Sequence, residues 1–123
     1  MLIIDLSGTK PLIRDKTTKH VIAQSVIEFF QFLKQMSEIS ISDAKWCGVC
    51  MSYMIAIECV NLGYGISNTA LSKRSDAVSF PFTNAGILNA FQDGMRIGEE
   101  ALLQERNKGE EHALHALATR LNE

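Results

Sequence analysis

Two cysteines, Cys47 and Cys50, stand three apart in Lys45-Trp46-Cys47-Gly48-Val49-Cys50, directly ahead of a long apolar run. Thiols at that spacing can exchange with a disulfide when one is ionised, because the thiolate is the nucleophile. A helix N-terminus supplies that condition, since its unpaired N–H groups and dipole lower the pKa of a thiol placed there. The same spacing also suits two small apolar residues on the buried face of a helix, the usual setting of a free cysteine, and burial is the expectation adopted. A structural zinc needs four ligands. Cys59 is the one further cysteine and no second pair closes a set, so neither a metal nor another cofactor is expected.

Trp46-Cys47-Gly48-Val49-Cys50 resembles the W-C-G-P-C active-site signature of the thioredoxin family, with Val49 where that family has proline. The resemblance implies a thiol-redox role for Cys47 and Cys50 within a βαβ unit, facing a cis-proline. Pro81 is the only later proline and the chain beyond it reads as helix, so the likeness is local.

A second constellation runs from Gly65 to Arg74, Gly-Ile-Ser-Asn-Thr-Ala-Leu-Ser-Lys-Arg. It resembles the turn and recognition helix of helix-turn-helix regulators. The resemblance implies that Ile66 and Leu71 pack inward while Ser67, Asn68, Thr69, Ser72, Lys73 and Arg74 face DNA bases or phosphates. The match needs Tyr64-Gly65 as an insertion in the turn for Cys59 to fall where that family usually has alanine. The alternative is a polar loop with one helical turn. A third group, Glu111, His112 and His115, shares a helix face and could form half of a metal site completed by a symmetry mate; exposed histidines of a tail are the commoner case.

No phosphate-binding glycine loop, dinucleotide fingerprint, nucleophile elbow or H-E-x-x-H motif occurs, so a catalytic role is not expected. The 123 residues fit one domain, 1–123, able to bury roughly two-thirds of its unfolded surface. Net charge is −2, with Lys10, Arg14, Lys16 and Lys19 grouped near the start and Glu99, Glu100, Glu105, Glu110 and Glu111 near the end. That distribution lacks the overall basic character of a nucleic-acid-binding domain. The longest apolar run, Cys47 to Leu62, includes Ser52, Glu58 and Asn61, too short and too polar for a membrane span, so no membrane partner is expected. An odd cysteine count without a secretory leader pattern points to a cytoplasmic protein.

The elements that would position these residues read as mostly helical. Leu2 to Leu6 is a short β-prone segment. Ile22, Val26, Phe29, Phe30, Leu33 and Met36 recur at helical spacing, predicting a helix from about Thr17 to Glu38. A second helix runs from a Ser42 cap to Leu62, apolar almost all round and stopped by Gly63 and Gly65. Glu58 is the exception on it, expected at the rim, the alternative being a buried, partnered carboxylate of raised pKa that could mark a site. Thr83 is the expected cap of a third helix in which Gly94 and Gly98 suggest close approach of another backbone, and Leu114 to Leu121 adds a tail stripe. The expected fold is all-α, a small bundle of three long helices plus a short one, with a short N-terminal β segment. So much apolar surface in so small a domain predicts a protein partner, with a homodimer as the simplest solution. The expected function is a non-enzymatic protein-binding module, an adaptor or inhibitor. A helix-turn-helix DNA-binding regulator is the first alternative, and a thiol-redox protein the second.

Overall fold

In a computed structural model of the chain, residues 2–5, 7, 8, 11–36, 38–76 and 80–105 are described, with the backbone alone at 68, 72, 75, 76 and 105. Three short strands, β1 (Leu2–Asp5), β2 (Leu12–Asp15) and β3 (Val21–Ala23), form an antiparallel meander in the order β1-β2-β3. Among the described residues four helices follow, α1 (Val26–Lys34), α2 (Ile41–Asn61), α3 (Asn68–Asp76) and α4 (Ala85–Glu105). The expected all-α bundle of three long helices is therefore corrected to a mixed α/β fold. Among the described residues only α2 and α4 are long, at 21 residues each; the tail stripe and the histidines His112 and His115 lie outside them.

The correction has a local cause between Asp15 and His20. The Asp15 carboxylate accepts hydrogen bonds from the Thr17 and Thr18 amides at 2.8 and 2.9 Å. Lys19 then takes a positive φ of 65°, and the Asp15 amide donates to the His20 carbonyl across the turn. An aspartate bonding its own following amides offers the backbone an alternative to helix. Helix begins only at Ser25, whose side chain accepts from the Glu28 amide at 3.1 Å, while Glu28 accepts from the Gln24 amide. This is a variant of the reciprocal N-terminal cap.

The α2 helix is capped by Ser40, two residues before the expected Ser42, through a 3.1 Å bond from the Asp43 amide. It packs against β1, α1, α3 and, most extensively, α4. The α2–α4 contact is close because Gly48, Gly94 and Gly98 leave room for it. A side chain at Gly48 would strike the Phe91 carbonyl, one at Gly94 the Lys45 carbonyl, and one at Gly98 would lie 2.8 Å from Ser52 Cβ. Ser52, fully buried, donates to the Met95 carbonyl at 2.6 Å, so the polar atom in this seam is satisfied. Asn84, rather than the expected Thr83, caps α4, its side chain accepting from the Gly86 and Ile87 amides. Phe82 meets Phe91 edge-on at 5.4 Å, folding the preceding loop onto α4.

Phe29, Leu33, Met51, Met54, Ile55, Phe91 and Leu102 form the centre of one continuous core. Ile4 and Ile13 join it from the sheet, and Trp46 Nε1 donates to the Leu2 carbonyl at 3.1 Å, tying the first strand to α2. No helix among the described residues is long and apolar enough to cross a membrane.

Candidate functional site

The C-terminal end of α2 builds the site. Leu62 is its cap residue, and Gly63, at φ +85°, lets the chain reverse so that its amide reaches the Val60 carbonyl while the Tyr64 amide reaches the Cys59 carbonyl. This paired closure is the Schellman arrangement, and a left-handed residue at that place favours glycine. Gly65, at φ +74°, turns the chain again. Ser67 then caps α3, accepting from the Ala70 amide on its hydroxyl and from the Leu71 amide on its carbonyl. Ile66 and Leu71 are buried and hold α3 against α2, as the inward pair of that segment was expected to be. The Cys59 thiol points at the Ala70 carbonyl, 3.9 Å away.

Glu58 is the node of this junction. Its Oε1 accepts from the Val26 amide at 3.1 Å, at the first turn of α1, and its Oε2 accepts from Arg74 Nη2 at 2.6 Å on α3. One carboxylate thereby ties three helices. Its side chain is 27% exposed and that of Arg74 39%, so the pair sits at the rim expected for Glu58 but is partnered on both oxygens. A carboxylate at a helix N-terminus is also favoured by the helix dipole.

Apolar side chains next to this node in the chain or in the adjoining pocket are left uncovered. Ile27, next to Val26, is 69% exposed; Leu62, one turn beyond Glu58, is 58% exposed; Tyr64 is 66% exposed. Beside them opens a pocket of about 360 Å³ lined by Tyr64, Ser67, Thr69, Ala70, Lys73 and Arg74. A larger cleft of about 510 Å³ between the end of α1 and the start of α4 includes Lys34 and Glu38, charges of opposite sign.

The six DNA-facing candidates meet different fates. Ser67 is engaged as the α3 cap and Arg74 is ion-paired, while Thr69 and Lys73 are exposed. The side chains of Asn68 and Ser72 lie outside the described residues. The sequence offers Glu58 as a partnered carboxylate only as the alternative to a rim position, and gives no sign of Tyr64 as part of the pocket. Glu58 was detectable as the lone carboxylate of an otherwise apolar helix, but its partner amide lies 32 residues earlier in the chain.

Cys47 and Cys50 are buried well inside α2, more than a turn beyond its Ser40 cap and away from the free N–H groups of a helix start. Burial, reinforced by the nearby Asp43 charge, pushes the Cys47 thiol up to about 12, and burial raises Cys50 as well. Both are protonated thiols at neutral pH, so the arrangement supplies no thiolate. Cys59 is also raised, by its burial. Among the described residues no group of three or more metal-ligating side chains gathers. Comparison with protein-family models, with curated proteins and with solved structures finds no match to this chain.

Proposed function

We propose that the protein acts without catalysis, as a module that binds another protein, an adaptor or inhibitor, through the junction of α1, α2 and α3. What supports this reading is that three exposed apolar residues adjoin the Glu58–Arg74 pair along the chain or in the pocket: Ile27 follows Val26, whose amide Glu58 holds, Leu62 lies one turn beyond Glu58, and Tyr64 lines a pocket with Arg74. Apolar side chains gathered beside satisfied polar groups form the core-and-rim composition of a protein contact. The three cysteines, all free and buried, suit a reducing compartment such as the cytoplasm.

Self-association is the simplest form of this activity, and sedimentation velocity at micromolar concentration tests it. A dimer that weakens on Leu62→Ser and Tyr64→Ser substitution would make a second copy the partner. A monomer transfers the test to partners captured from lysate, where a folded Ile27→Ser, Leu62→Ser, Tyr64→Ser variant should lose what the wild type retains. Equal retention by the two proteins would sink the reading.

The helix-turn-helix alternative draws support from one observation: Ile66 and Leu71 face inward while Thr69 and Lys73 face out. It ranks second because Glu58 already neutralises Arg74 and the chain as a whole is acidic. Binding to labelled DNA that falls steeply between about 50 and 200 mM salt would reverse that ranking.

A further inference from the structure

We propose that the pocket on α3 receives the carboxylate of an acidic peptide segment on the partner, with an apolar neighbour of that carboxylate lying against Tyr64 and Ala70. The assignment rests on the protein-binding reading above and names the chemistry that its junction recognises.

Charge is the first argument. Lys73 and Arg74 line the pocket, and no carboxylate among the described residues does. Lys73 has no anionic partner among the described residues, and Glu58 engages Arg74 through Nη2 from outside the lining. A guanidinium offers five N–H donors, so the bond to Glu58 fixes its orientation while other donors can serve a second acceptor. Orienting a cation in advance reduces the ordering cost of binding. Thr69, which carries a hydroxyl, is also among the lining residues.

Shape is the second argument. About 360 Å³ is near the lower end of ligand-sized pockets, enough for one acidic side chain and part of its neighbour. Tyr64 and Ala70 add apolar surface to the lining, which a bare phosphate would leave unused. Duplex DNA presents a line of phosphates that calls for a row of cations, and here Lys73 alone is uncompensated among the described residues of α3.

The test is an NMR titration of the ¹⁵N-labelled full chain with three probes: the blocked peptide acetyl-Leu-Glu-Glu-Leu-amide, its glutamine counterpart, and a short DNA duplex. The acidic peptide should move the amides of Thr69, Ala70, Lys73 and Arg74 saturably. The glutamine peptide should bind roughly tenfold more weakly, and Lys73→Ala should cost the acidic peptide a similar factor that Lys73→Arg largely restores. Absence of saturable shifts on α3, equal binding of the two peptides, or preference for the duplex would each overturn the assignment. If the peptides fail while the Leu62 and Tyr64 substitutions still abolish partner binding, the carboxylate assignment falls and the protein-binding reading stands.

Discussion

Glu58 sits on a helix whose neighbouring positions Ile55, Ala56, Ile57 and Cys59 are all buried, yet its carboxylate is fully used. Removing it strands two donors at once, the Val26 amide at the start of α1 and the Arg74 guanidinium on α3. Leaving a partly buried donor unmade costs about 1–3 kcal/mol, more than the bond contributes net. Glu58→Ala should therefore lower stability by about 2 kcal/mol in urea unfolding, and Glu58→Gln, which keeps an acceptor for one donor, by less. A Glu58→Ala variant as stable as the wild type would show that the three helices hold their places without this node. Asp5 is the second residue whose charge matters to the fold. Ser7 donates to its carboxylate from both hydroxyl and amide, Arg14 pairs with it at 2.8 Å, and together they hold its pKa at about 2 against an ordinary 3.8. A carboxyl depressed in the folded state stabilises above its unfolded value, and that contribution disappears as pH falls through the folded one. The stability linked to Asp5 is thus complete above about pH 4 and lost on descent towards pH 2. Asp5→Asn should flatten the stability–pH curve across that window in acid titrations followed by circular dichroism. An unchanged slope would remove Asp5 from the account.

The α2–α4 pair is where glycine and serine decide how two elements meet. At Gly94 an added methyl would meet the Lys45 carbonyl, backbone that cannot rotate away, whereas at Gly86 it would lie 3.5 Å from the Asn84 side chain, an ordinary contact. Alanine gains up to about 1 kcal/mol of helix propensity over glycine, and overpacking a close contact costs about 1–3 kcal/mol. The contact wins at Gly94, because relief requires the two helices to separate. Gly94→Ala should lower the thermal midpoint clearly and Gly86→Ala should leave it unchanged or slightly raised; a stabilised Gly94→Ala protein would mean that the helices are less closely apposed. This seam was legible in advance, since two glycines four apart in an amphipathic helix have few other uses. So was α2, from its nearly all-round apolar sequence and the Gly63 stop. The sheet was not, because the apolar spacing from Ile22 to Met36 continues across Ser25 and hides the boundary between β3 and α1. The signals lay in Asp15 ahead of Thr17 and Thr18, and in Ser25 three residues before Glu28. Of the candidate site, the segment from Gly65 to Arg74 stands out in the sequence, but the pairing of Arg74 with Glu58 is tertiary and leaves no mark in local spacing.

At the scale of the whole molecule, α2 is the element that joins the parts. It touches α4, α3, α1 and β1, so the sheet and the helical pair share one central member. Trp46 is the chain's only tryptophan and stands where that sharing begins, its indole N–H on the Leu2 carbonyl of β1. Its fluorescence therefore reports the docking of the sheet, while far-ultraviolet circular dichroism reports mainly α2 and α4. If the shared helix makes the chain one cooperative unit, the two signals must follow the same urea curve at pH 7. Acid should separate them. The two carboxylates whose pKa the sheet region depresses, Asp5 at the end of β1 and Asp15 at the start of the β2–β3 turn, lose their hydrogen-bonded anionic form together as pH falls. Across the seam that joins α2 to α4, Ser52 and the glycines make the contact, and neither titrates. Near pH 2 to 3 the sheet should open at lower urea than the helical pair, so that the fluorescence change precedes the loss of helix. Coincident curves at both pH values would mean that the sheet draws its stability from Ile4 and Ile13 in the common core rather than from its turns. Separate curves already at pH 7 would mean that α2 does not couple the two parts, and that the α3 junction belongs to the helical part alone.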